Sequence, residues 1–138
     1  LNAVIRLHRE NLLTSDQSST VEEYIEINKE YSKIARNANF SDINNQTKDS
    51  LIRNRQLYVY KYIPEIAKER EELEEYREFI PRHMEYWDIR NKAMVANIIS
   101  QIKLNPNKKM VVLNGYTHRY YLINELKKYE KKLNFSVK

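Results

Sequence analysis

The run Lys109-Met-Val-Val-Leu-Asn-Gly-Tyr-Thr-His118 decides how this chain is read. Its first five residues are short, apolar after the lysine and bounded by turn residues, the pattern of a buried strand. Asn114-Gly115 breaks that pattern. Residues 117–133 then recur at helical spacing, with Leu122, Leu126, Tyr129 and Leu133 on one face. Upstream, residues 84–103 read as a long helix whose apolar face holds Trp87, Met94, Val95, Ile98, Ile99 and Ile102, and 104–108 (LNPNK) is a turn. Downstream, 134–138 (NFSVK) reads as the start of a second strand. Helix, strand, helix, strand at this spacing predicts a parallel α/β unit. The expected fold is therefore α/β and helix-rich. Residues 81–138 form the C-terminal αβαβ part of an incomplete parallel or mixed sheet, and residues 1–80 form a helical insertion or lid of the same domain.

Working back from that unit, residues 65–80 predict a helix with a thin apolar stripe of Ile66, Leu73, Tyr76 and Ile80. Its glutamates fall all round the helix without histidines at i+3 or i+4, which makes them a solvated surface rather than metal ligands. Residues 51–63 are ambiguous, because Tyr58, Tyr60 and Tyr62 alternate as a strand would. Leu51, Leu57 or Tyr58, and Tyr62 also keep helical spacing, and helix is the reading adopted, with Pro64 in the first turn of the next helix. Residues 37–49 read as a polar loop. Residues 21–38 predict an amphipathic helix started by a capping box of Ser19 and Glu22, after a polar loop at 14–20. The first dozen residues are helical, and His8 on their stripe is a packed or surface histidine rather than a ligand.

Composition narrows the class. The chain has 138 residues, 41% hydrophobic and 31% charged, which suits one globular, soluble domain or a piece of one and excludes wholesale disorder. No apolar run approaches the ~18 residues of a membrane span. Zero cysteines exclude a disulfide scaffold, a zinc ribbon and a thiol nucleophile, and select neither cytoplasm nor periplasm. The net charge of +5 is uneven, since residues 101–138 hold nine basic and two acidic side chains. Lys127, Lys128, Lys131 and Lys132 in the closing turns of a helix complement its dipole, a reading favoured over a nucleic-acid surface. A single glycine among fifteen asparagines means that turns are built mostly from Asn, Asp, Ser and Pro.

The candidate site gathers at the end of the expected strand. Gly115 can adopt positive φ and let a ligand approach. His118 opens a helix, where the dipole favours the neutral imidazole that a general base or metal ligand requires. Five strand residues advance ~17 Å, or ~11 helical residues, so counting back from Lys103 arrives beside Arg90 and Asn91. Arg90, Ala93, Met94 and Asn97 share a helical face there, and an arginine with two asparagines suits a carboxylate or phosphate. Ion pairing of Arg90 with Asp88, Glu85 or the acidic helix is the equal alternative. Tyr116 is a proton donor, a pocket wall or an exposed turn residue.

Residues 86–97 (YWDIRNKAMVAN), the strand and Asn114-Gly-Tyr-Thr-His118 together resemble the C-terminal part of the TraB/Tiki and erythromycin-esterase-like superfamily. Its members have an arginine-bearing helix leading into a hydrophobic strand that ends in G-x-x-H. Gly115 and His118 match that motif, Arg90 matches the helix arginine, and Asn91 and Met94 fit a subgroup of small bacterial proteins with R-N-x-x-M. The resemblance covers roughly residues 84–135. It implies an α/β fold and a hydrolase-like or metal-binding site, with His118 as base or possible ligand of a divalent metal and Arg90 as clamp. Gly115, Asn91, Asn97 and Tyr116 would line the ligand. The superfamily's early motif is absent, so that half either precedes Leu1 or has been lost. The competing expectation is a non-enzymatic interaction or homo-oligomerisation module. Eleven tyrosines on amphipathic helices supply its contact surface.

Overall fold

The computed structural model describes residues 1–37, 39 and 45–137, and among them the chain is helical, with no strand and no sheet. Helix α1 spans Asn2–Arg9 and α2 spans Ser15–Asn37. Helix α3 (Gln46–Leu57) continues through a π-helical stretch, Tyr58–Tyr62, into α4 (Ile63–Glu69). A 3-10 segment, Glu71–Tyr76, leads to the long α5 (Phe79–Leu104). Then come α6 (Tyr116–Lys127) and the short α7 (Glu130–Leu133).

The α/β expectation is overturned. Residues 109–113 belong to no helix and, among the described residues, no strand pairs with them; a strand is defined by its ladder rather than by the composition of one segment. The expected strand at 134–138 also fails. Asn134 is left-handed (φ 50°), and Phe135 and Val137 turn their side chains into a helical core instead. The αβαβ unit thus reduces to two packed helices joined by an exposed irregular arm, followed by a coil that packs on them.

Several boundaries moved for local reasons. Helix α2 begins at Ser15 because the capping box is Thr14 and Gln17, not Ser19 and Glu22. The Thr14 Oγ1 accepts from the Gln17 N–H at 3.3 Å, and the Gln17 Oε1 accepts from the Thr14 N–H at 3.3 Å. The helix expected over 65–80 breaks at Arg70, which is extended (ψ 120°) and pairs with Glu72 at 2.6 Å. Five glutamates between 71 and 78 repel one another at helical spacing, which weakens a regular turn there. The π stretch sits just before Pro64. That proline has no N–H, and its ring meets the Tyr60 carbonyl four residues back, so a wider turn relieves the conflict without ending the helix. The polar loop expected at 37–49 falls largely outside the described residues, apart from Asn45, whose Oδ1 accepts from the Lys48 N–H at 2.9 Å and starts α3.

Two cores result. The larger joins α1, α2, the π stretch, α4 and the start of α5 around Leu7, Val21, Tyr24, Ile63 and Leu73. The smaller lies between α5 and α6, where Val95, Leu122 and Leu126 meet Ile98, Ile102 and Phe135. No helix is long and apolar enough to cross a membrane among the described residues.

Candidate functional site

His118 and Asn91, expected level with each other on a strand-based count, are brought together by direct packing of α6 on α5. The His118 Nδ1 lies 2.8 Å from the Asn91 Oδ1, and both residues are buried. Because an amide oxygen only accepts, Nδ1 holds the proton and Nε2 keeps its lone pair. Nε2 has no hydrogen-bond partner among the described residues and is not sealed off. The imidazole pKa is lowered from its ordinary 6.5, first by burial and then by the nearby Arg90 guanidinium. Neutral imidazole thus has a local cause beyond the helix dipole invoked from sequence.

A column of rings supports the histidine. Trp87 stacks on His118 with centroids 4.4 Å apart, Tyr60 stacks on Trp87 at 4.7 Å, and His83 stacks on Tyr60 at 4.7 Å. His83, Trp87 and Asn91 recur every four residues on α5, so one helical stripe supplies two rings of the column and the hydrogen-bond partner of His118. That period-four pattern is visible in the sequence, but the sequence reading takes Trp87 as part of an apolar face and Asn91 as a ligand residue, and leaves His83 unassigned. Tyr60 enters from the π stretch, whose widened turn no alternation rule anticipates. Tyr60 and Trp87 also line an open groove of about 650 Å³, walled by Tyr120 and Tyr121, with Arg53 and Lys92 among its charged residues.

The other expected residues are distributed differently. Arg90 is exposed beside His118, and Asn97 is exposed further along α5. Gly115 precedes α6 with φ −63°, an ordinary extended conformation, so the positive φ expected of it is not used. A Cβ added there would meet only His118 Cδ2, at 3.6 Å. The left-handed positions among the described residues belong instead to Asn11, Asn107 and Asn134, as the scarcity of glycine implied. Tyr116 does not face His118. It stacks on Tyr31 at 5.6 Å, and Arg55 lies 4.1 Å over the Tyr31 ring. Burial, with Tyr31 next, pushes the Tyr116 hydroxyl far above its usual range, which makes it a reluctant proton donor.

The donor set around His118 does not suit a resident metal. Among the described residues no three His, Asp or Glu converge, whereas a protein-held zinc needs three or four such ligands. The Asn91 Nδ2 is buried without a hydrogen-bond partner among the described residues, an uncompensated donor costing about 1–3 kcal/mol. Comparisons with protein-family models, curated proteins and solved structures gave no match.

Proposed function

We propose that the chain is a ligand-binding protein of hydrolase-like character, acting through His118 on a small anionic molecule. The observation behind this reading is the 2.8 Å contact of His118 Nδ1 with Asn91, which fixes the tautomer and turns Nε2 into a proton acceptor. Arg90 supplies a permanent positive charge beside it for a carboxylate or phosphate. Trp87 holds the ring plane from the side. The resemblance of residues 84–135 to the TraB/Tiki and erythromycin-esterase-like superfamily is what adds hydrolysis as the class of reaction.

The test is a long-range ¹H–¹⁵N spectrum of His118 with inorganic phosphate or acetate added as probe. The expected result is an Nδ1–H tautomer whose Nε2 resonance moves with the anion, a response that Arg90→Gln abolishes. An Nε2 resonance indifferent to both anions would overturn the reading.

A further inference from the structure

The chain's single glycine follows an asparagine, so Asn114-Gly115 is the one Asn-Gly pair among fifteen asparagines. That order has a chemistry of its own. The backbone nitrogen of the residue after an asparagine can attack the side-chain amide carbon, and a glycine there has no Cβ to obstruct the approach. The attack needs a backbone free to turn, which a hydrogen-bonded helix denies to Asn28, Asn54, Asn91 and Asn97. Asn114 is not held in that way. It is exposed, lies outside every helix and follows Val111 and Leu113, which are 88% and 91% exposed. No backbone N–H from residue 109 to 115 has a hydrogen-bond partner among the described residues, so the Gly115 nitrogen is not tied to the rest of the chain.

We propose that Asn114 is a self-modifying site, which deamidates without an enzyme and places a carboxylate at the start of α6. The Gly115 nitrogen bonds to Cγ of Asn114, the Cγ–Nδ2 bond breaks, and ammonia leaves with the proton that the Gly115 nitrogen gives up. The cyclic imide that results takes up one water. Opening at one carbonyl gives aspartate, opening at the other gives isoaspartate, and nothing is oxidised or reduced. The new charge enters one residue before the Gly115 N-cap. Helix α6 has no side-chain cap and no acid in its first turn, so nothing there yet offsets its free N–H groups and positive dipole end. The same turn holds His118, whose backbone N–H donates to the Gly115 carbonyl at 2.9 Å. The modification thus changes the charge beside the one buried histidine among the described residues.

Trypsin isolates the site, since the peptide of residues 110–119 contains Asn114 and no other asparagine. Incubated folded in mildly alkaline buffer, the protein is expected to gain one mass unit in that peptide, in two products that separate chromatographically. Residues 104–108, whose Asn107 precedes a lysine in an exposed turn, are expected to stay unshifted over the same period. Gly115→Ala is expected to slow the gain many-fold with unchanged helical circular dichroism, because the added Cβ meets only His118 Cδ2, at 3.6 Å. A synthetic peptide of residues 110–119 sets the unrestrained rate, which the folded chain is expected to approach. A folded chain that keeps Asn114 intact while the peptide converts would overturn the proposal, as would a conversion that Gly115→Ala leaves equally fast. The readout is mass alone, so the proposal stands or falls independently of any anion at His118.

Discussion

At the scale of single residues, His118 ties the site to pH. Its folded pKa lies below the ordinary 6.5, so in acid the unfolded chain takes up a proton that the folded chain resists. Stability is therefore complete above pH 6.5 and declines as pH falls through and below it. Melting at pH 7.5 and 5.5 should show this loss in the native protein and a smaller one in His118→Gln. Asn91→Asp should reverse the sign of the histidine shift, because a carboxylate facing Nδ1–H favours imidazolium; an NMR titration of His118 reads the direction. Gly115→Ala should change stability by under about 0.5 kcal/mol, since a smaller entropy loss on folding offsets a poorer helix cap. A large effect of that change on anion binding, without one on stability, would mean that a ligand approaches the backbone there.

Among the elements, sequence periodicity identified amphipathic helices well and the arm at 109–113 badly. The long α5 was foreseen because its apolar positions recur over many turns. Residues 109–113 have strand composition, but pairing depends on a second segment that one stretch of sequence cannot describe. The capping box was misplaced because Thr14/Gln17 and Ser19/Glu22 both satisfy the same four-residue pattern. Thr14→Ala should cost about 1 kcal/mol in urea denaturation, whereas Ser19→Ala should cost little. The π stretch makes a sharper claim. If Pro64 causes it, Pro64→Ala should restore a regular helix and draw Tyr60 away from Trp87, seen as a changed near-ultraviolet circular dichroism spectrum. An unchanged spectrum would assign the widened turn to the packing of the tyrosines themselves.

Across the whole molecule, α3 links the two cores through polar contacts that no hydrophobic pattern could announce. Asp49 at its start forms an ion pair with Arg119 of α6, and both side chains are mostly buried. The π stretch that continues it reaches α2, where the Tyr58 hydroxyl donates to Glu23 and the tyrosine pKa is raised to about 12, that bond being the first cause. Arg119→Ala should therefore be costly, roughly 2–3 kcal/mol, because it strands a carboxylate whose second oxygen already lacks a partner among the described residues. Denaturant midpoints of Arg119→Ala and of the double variant with Asp49→Asn separate the pair's own worth from the cost of stranding its partner. The chain's one tryptophan lies between a tyrosine of the π stretch and the buried histidine of α6. An imidazolium in stacking distance drains an indole's excited state far more effectively than a neutral ring does. The emission of this protein is thus a built-in optical gauge of one proton, dimming as His118 charges and brightening as it is released, with no dye or label required.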